Sequence, residues 1–161
     1  MFNQFYDVST SNIRTQSHTN AGWLGIGRAI FGGYFLFNGI NHFTSHAMMA
    51  SFAAGKGVPA PDVAVAGAGL LLIFGGLSLL LGLWPRAGAA AIILFLVGVT
   101  PTMHDFWNTA DPAARMNDFG NFLKNIALLG GACFAAAVPQ PWPGSVHADR
   151  PIRSRALAPP M

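Results

Sequence analysis

Residues 62–107 read DVAVAGAGLLLIFGGLSLLLGLWPRAGAAAIILFLVGVTPTMHDFW and contain two long apolar runs. The runs cover residues 62–84 and 87–107, so that only Pro85 and Arg86 lie between them. A helix that crosses a membrane needs about 20 mostly apolar residues, and each run has that length. Because so short a connection joins antiparallel neighbours, the stretch predicts a tight hairpin of two membrane-spanning helices.

The composition of the whole chain supports the same interpretation. Of its 161 residues, 52% are hydrophobic and only 9% are charged, whereas ordinary soluble domains contain about 25% charged residues. So few charges cannot cover a soluble surface, and we therefore expect lipid to surround the protein. The net charge of +3 is too small and too dispersed to indicate nucleic acid binding. The single cysteine, Cys133, excludes an intramolecular disulfide and a CxxC redox motif.

Two further apolar stretches, residues 23–43 and 119–142, complete a set of four predicted spans. The sequence therefore predicts an all-α fold, a four-helix transmembrane bundle with up-down topology over residues 23–142. Residues 1–22 form a polar N-terminal segment, and residues 143–161 form a Pro- and Arg-rich tail. All four tryptophans fall at the ends of predicted spans, where aromatic belts lie at the membrane interface.

Arginine and lysine determine the predicted orientation. With four spans, both termini and the turn at residues 84–86 share one side of the membrane. Six arginines lie on that side: Arg14, Arg28, Arg86, Arg150, Arg153 and Arg155. Three basic residues lie on the other: Lys56, Arg115 and Lys124. Since basic residues accumulate in cytoplasmic segments, we expect residues 1–22 and 143–161 both to be cytoplasmic.

Polar side chains from three spans are predicted to meet near the non-cytoplasmic surface. The first and third spans end on that side, and the fourth begins there. In the first span Asn38, Asn41 and His42 lie at i, i+3 and i+4, which is one helix face. Because lipid penalises polar groups, we expect each polar stripe to face the interior of the bundle. We therefore predict an outer-side ligand pocket formed by Asn38, Asn41, His42, His104, Trp107, Lys124 and Asn125.

The same residues also have interpretations that need no ligand. The polar residues of the first span could supply interhelical hydrogen bonds, each worth about 1 kcal/mol. Trp107 could belong to an interfacial belt, and Lys124 could extend to the outer headgroups. His42 and His46 have an i, i+4 spacing that suits a metal ion, but no third ligand accompanies them. We therefore expect no metal site, and we assign no catalytic residue.

Five motifs follow one another between residues 25 and 139. They read GRAIFGGYFLFNGINHF, VPAP, IFGGLSLLLGLWPRAGAAAI, MHDFW and FLKNIALLGG. In this order they resemble the DoxX family of small four-helix bacterial membrane proteins. The resemblance implies a multi-pass protein of the bacterial inner membrane. Some members of the family resemble subunits of thiosulfate:quinone oxidoreductase, and others are linked to membrane redox or oxidative-stress complexes.

The sequence departs from the family pattern at two places. Many relatives carry an acidic residue in the second span, one turn before a glycine pair, where this chain reads GLLLIFGG. Many also carry a lysine after the last glycine of the first span, where this chain has Asn41 and His42. The missing acid argues against proton-coupled chemistry.

Three classes of function remain open. The first is a subunit of a redox-linked membrane complex that binds a quinone or lipid in the outer-side pocket. The second is a purely structural or assembly subunit. The third is a small transporter, which has the least support because no buried ion pair or mid-membrane acid is recognisable.

The chain also lacks the common sequence signatures of redox cofactors. It has no haem motif, iron–sulfur cysteine set, dinucleotide-binding glycine signature or phosphate loop. We therefore expect an accessory subunit rather than a complete enzyme, with quinone as the one cofactor under consideration. Other membrane protein subunits and lipids are the expected partners, and nucleic acid is not.

Overall fold

The computed structural model describes the backbone of residues 3–146 and the side chains of residues 21–146. Within that part of the chain all regular structure is helical, and no strand occurs. The elements are α1 (Asn3–Thr44), α2 (His46–Gly55), α3 (Pro61–Leu81), α4 (Pro85–Met103), a short 3-10 helix (Phe106–Asn108) and α5 (Pro112–Ala137). The predictions for residues 147–161 fall outside the described residues.

Four of the five helices correspond to the predicted spans, namely α1, α3, α4 and α5. Helix α1 begins at Asn3, so it also includes most of the segment that precedes the first span. Helix α4 ends at Met103, and the MHDFW motif continues as the 3-10 helix instead of extending the span. Helix α2 was not predicted; it has ten residues, which is too short to cross a membrane.

Capping side chains, glycine and proline determine where the helices begin and end. The Asp111 carboxylate accepts a hydrogen bond from the Ala114 backbone N–H at 2.7 Å, and Pro112 occupies the first turn of α5. Gly82 ends α3 in the left-handed conformation, with φ at 68°, and Pro85 begins α4. Ser78 donates its hydroxyl to the carbonyls of the turn between them. The α3–α4 hairpin is therefore specified by residues within and beside it.

Glycines let α1 approach α3 closely. A Cβ built on Gly76 would lie 2.5 Å from the Leu36 backbone nitrogen, and one on Gly32 would lie 2.9 Å from the Gly76 carbonyl oxygen. Small residues permit such contacts between membrane helices. Not every glycine of α1 has this role, since a Cβ on Gly25 or Gly33 would meet nothing within 4 Å. The α1 glycines in contact with α3 are instead Gly32 and Gly39.

The outer surface of the helices is largely apolar, as lipid contact requires. Within the described residues, three helical segments are long and apolar enough to cross a membrane: Pro61–Leu81, Pro85–Asn108 and Pro112–Ala137. Helix α1 is not among the three. The fourth span and the cytoplasmic placement of the termini therefore stay predictions.

One tryptophan does not lie at the surface. Trp23, Trp84 and Trp107 are exposed, whereas Trp142 is only 2% exposed and belongs to the core. Its ring lies under the Arg28 guanidinium, 5.5 Å from the charge centre to the ring centroid. The prediction that all four tryptophans form interfacial belts is therefore wrong for Trp142.

Candidate functional site

A cavity of about 740 Å³ lies in the bundle near the end where α1 and α4 terminate and α3 begins. Cavities of roughly 300–1,000 Å³ are typical of small-molecule sites. All five helices contribute to its wall, which is mostly apolar and includes Phe35, Met49, Leu72, Phe95 and Leu128. Helix α2, which the sequence did not reveal, supplies one side of this wall.

Five of the seven predicted pocket residues line this one cavity. They come from α1, from the end of α4 and from α5: Asn38, His42, His104, Lys124 and Asn125. Residues that lie 87 positions apart in the sequence, such as Asn38 and Asn125, are therefore brought together by the fold. Whether they bind a ligand stays a prediction.

The other two predicted residues do not line the cavity. The Asn41 side-chain oxygen accepts a hydrogen bond from the Ser45 hydroxyl at 3.0 Å, so this amide supports the link between α1 and α2. Trp107 is 54% exposed, and its ring packs edge-on against Phe106, with ring centroids 5.0 Å apart. Trp107 is therefore a surface residue, and its place in an interfacial belt stays a prediction.

Asn125 is the most deeply buried polar side chain of the cavity wall. It is 7% exposed, and its side chain makes no hydrogen bond to any described residue. Its two N–H donors and its carbonyl acceptor are not among the fully buried unpaired atoms, so they stay accessible from the cavity. The cavity therefore presents an unsatisfied amide to whatever occupies it.

His42 presents a hydrogen-bond acceptor near the same cavity. Its Nδ1 lies 2.8 Å from the Asn38 backbone carbonyl, which can only accept, so Nδ1 carries the proton. In the neutral ring the other nitrogen, Nε2, then has a free lone pair. The Asn38 amide donates to the Tyr34 carbonyl at 2.7 Å, which leaves its own oxygen as an acceptor. Both residues thus suit a ligand that carries hydroxyl donors.

A charged network lies beside the cavity, at the end of the bundle where α1 and α4 terminate. The Lys56 Nζ is 2.5 Å from the Asp105 Oδ1 and 3.8 Å from the Asp118 Oδ2. Both members of the Lys56–Asp105 pair are only about a fifth exposed, at 22% and 21%. No buried ion pair was recognisable in the sequence, and this partly buried pair corrects that expectation. Its two members are 49 positions apart, so no local spacing indicates it.

His104 connects this network to the cavity wall. Its Nδ1 lies 3.7 Å from the Asp118 Oδ1, which is beyond hydrogen-bond distance, and it is buried without a hydrogen-bond partner among the described residues. Thr109 donates to the other Asp118 oxygen at 2.9 Å and fixes that carboxylate. A small movement of His104 would therefore complete a contact between the cavity and the charged network.

The histidine pair that suggested a metal has two separate environments. His42 lines the cavity, whereas His46 interacts with Asp62, with its Nε2 3.1 Å from the Asp62 carbonyl oxygen. Among residues 21–146 no cluster of three His, Cys, Asp or Glu side chains has a geometry that could hold a metal.

Comparison with known families gives one match. The sequence model of the DoxX family matches residues 23–105, which is half of the chain and extends from the middle of α1 to the residue before the 3-10 helix. The chain belongs to the DoxX family. No curated protein and no solved structure matches it significantly. DoxX membership and the three apolar helices together identify a membrane protein.

The DoxX match covers only part of the cavity wall. It includes Asn38, His42 and His104, while Lys124 and Asn125 lie on α5 beyond its end. Leu71 and Leu72 line the cavity about one turn before the Gly75–Gly76 pair of this DoxX protein. The cavity wall is therefore apolar at this departure from the pattern that the family resemblance implies.

Proposed function

We propose that the protein forms a four-span bundle in the bacterial inner membrane, with α1 as the fourth span and both termini in the cytoplasm. The outward side chains of α1 support this, because its exposed large residues are apolar: Trp23, Ile26, Ile30, Phe37 and Ile40. Its one described charge, Arg28, is only 9% exposed and interacts with α3. The one described charge of α1 therefore faces protein instead of lipid.

Reporter fusions test this topology. A fusion after Met161 should be active as a cytoplasmic reporter, because the arginine-rich segments favour that side. A fusion after Gly57, between α2 and α3, should be active as a periplasmic reporter. The opposite pair of results would contradict the orientation, and two reporters on the same side would contradict four spans.

We propose further that the cavity binds a quinone. The single observation that carries this proposal is the amide of Asn125, which lies in a mostly apolar cavity wall and makes no hydrogen bond to any described residue. Quinones combine an apolar ring and tail with two polar oxygens, and the cavity combines apolar walls with a few polar groups. Asn125 can donate to a quinone carbonyl, and His42 Nε2 can accept from the hydroxyl of the reduced form.

The proposed role is that of an accessory subunit in a redox-linked membrane complex. The chain would hold the quinone, while partner subunits would supply the electron carriers that its sequence lacks. A purely structural subunit is the alternative, and it predicts that the cavity holds only lipid chains or nothing. In a quinone-binding subunit the Asn125 amide donates a hydrogen bond to the ligand, whereas in a purely structural subunit it binds no quinone.

Substitution of Asn125 distinguishes a quinone-binding subunit from a purely structural one. We expect Asn125→Leu to weaken binding of a short-chain quinone by about tenfold, since one buried hydrogen-bond partner is removed. In the ligand-free protein the same change should leave the Tm unchanged or raise it, because an unpaired amide disappears. Asn121→Leu is the matched control, since Asn121 is one turn earlier on α5 and does not line the cavity.

The readout is equilibrium titration of the purified protein in mild detergent, with thermal unfolding measured in parallel. Quinone binding that is equal in both variants would contradict the site. A purely structural subunit would show no saturable quinone binding in the unsubstituted protein.

A further inference from the structure

A second cavity lies at the opposite end of the bundle and contains a buried positive charge. It has a volume of about 410 Å³ and is lined by Arg28 together with small or backbone-exposing neighbours: Ala21, Gly25, Ala29, Leu80, Pro143 and Gly144. Arg28 lies ten residues before Asn38 on α1, which corresponds to about 15 Å along the helix. The two cavities are therefore separate sites.

All described hydrogen bonds of Arg28 go to neutral carbonyl groups. Its Nε donates to Leu79 at 3.0 Å, its Nη2 to Leu80 at 2.8 Å and its Nη1 to Pro143 at 2.9 Å. A guanidinium has five N–H donors, so one N–H on each of Nη1 and Nη2 remains available. The C-terminal dipole of α3 offsets part of the charge, but no carboxylate among the described residues pairs with it.

The distribution of charge along the bundle is one-sided. All four carboxylates of the described side chains lie at the other end, near the first cavity: Asp62, Asp105, Asp111 and Asp118. The end that contains Arg28 also has Arg86, which is exposed, and the exposed Trp23 and Trp84. Exposed tryptophans are typical of the depth of lipid headgroups. An anion could therefore reach Arg28 from the headgroup layer.

We propose that Arg28 and the cavity beside it bind the phosphate of an acidic phospholipid. The planar fork of a guanidinium matches two oxygens of a phosphate, and charge-assisted bonds of this kind are stronger than bonds between neutral groups. Gly25 leaves room for the headgroup, because a Cβ built on it would meet nothing within 4 Å. The proposal needs the membrane location but is independent of quinone binding.

Native mass spectrometry tests whether the site prefers an acidic phospholipid. The full chain in detergent is mixed with phosphatidylglycerol or with phosphatidylcholine, and the bound lipid is measured. We expect phosphatidylglycerol to bind about tenfold more tightly, because both lipids carry a phosphodiester but the choline ammonium of phosphatidylcholine adds a second positive charge beside Arg28. Inorganic phosphate added alone should not raise the Tm. Equal binding of the two lipids would overturn the proposal, and so would stabilisation by inorganic phosphate equal to that by phosphatidylglycerol, which would identify a soluble ligand.

Two substitutions localise the site. Gly25→Leu should fill the cavity without touching the Arg28 hydrogen bonds, and it should abolish the preference for phosphatidylglycerol. Arg28→Gln should do the same, but it also removes three bonds to carbonyls, so helical content is checked by circular dichroism. If Arg28→Gln does not fold, Gly25→Leu alone decides.

Matched controls exclude a general charge or volume effect. Gly22→Leu adds the same side chain at a glycine that does not line the cavity, and Arg86→Gln removes an exposed arginine at the same end. Both should keep the lipid preference. A loss in Arg86→Gln as large as in Arg28→Gln, or full retention in Gly25→Leu, would overturn the assignment.

Discussion

The Lys56 ammonium lies 2.5 Å from the Asp105 carboxylate, although the two residues are 49 positions apart in the chain. The contact joins the end of α2 to the segment that follows α4, beside the cavity. Asn108 donates to the second Asp105 oxygen at 3.0 Å, so both oxygens of this carboxylate are engaged. The pair therefore holds α2 against the rest of the bundle.

Removal of the Lys56 charge should loosen that contact. We expect Lys56→Met to lower the Tm of the ligand-free protein, because Asp105 and Asp118 then face each other without a cation. High salt should reduce the difference, since the pair is partly accessible to ions. Lys124→Met is the control: Lys124 is exposed and donates only to Asn121, so its Tm should hardly change. Equal Tm values in the two variants would contradict this role.

The glycine contact between α1 and α3 gives a second prediction. Gly76→Ala should destabilise the bundle by about 1–3 kcal/mol, because the new Cβ would lie 2.5 Å from the Leu36 backbone nitrogen, which cannot move aside. Gly33→Ala should be neutral or stabilising by up to about 1 kcal/mol, since its Cβ meets nothing within 4 Å. Thermal unfolding in one detergent compares the two. A Gly76→Ala protein as stable as Gly33→Ala would mean that the helices are farther apart than described.

The hydrogen bond from His42 to Asn38 predicts which oxidation state of a quinone binds better. With its proton on Nδ1, neutral His42 offers Nε2 as an acceptor, which suits the hydroxyl of a quinol more than the carbonyl of a quinone. His42→Phe should therefore lower quinol affinity by about tenfold and affect the matching quinone less. The test is parallel titration of both forms under controlled reduction. His46→Phe is the control, because His46 interacts with Asp62 and does not line the cavity.

Local features of the fold could be predicted from the sequence. The α3–α4 hairpin follows from two apolar runs and a proline between them, all within residues 61–103. Helix α2 escaped prediction because HAMMASFAAG is shorter than a span and only one residue, Ser45, separates it from α1. The burial of Trp142 escaped it as well, since that ring packs on Arg28, which is distant in sequence.

In the candidate site, too, features set by helical periodicity and topology could be predicted, whereas contacts set by tertiary packing could not. Helical periodicity and topology predicted the shared depth of Asn38, His42, His104, Lys124 and Asn125, and the structure brings these five to one cavity. Asn41 is adjacent to His42 and so points about 100° away on the helix, toward Ser45. The ion pair of Lys56 could not be predicted, because its partner is fixed by tertiary packing alone.

Quinone content after native purification tests the central claim most directly. The unsubstituted protein, purified in mild detergent and extracted for quinones, should contain about one quinone per chain, as one cavity of this size allows. Gly98→Leu should contain almost none, because Gly98 lines the cavity and a larger side chain there projects into open space. Gly130→Leu, at an exposed glycine away from the cavity, should keep its quinone. Quinone at the level of bulk lipid in the unsubstituted protein, or an equal content in all three proteins, would contradict the account.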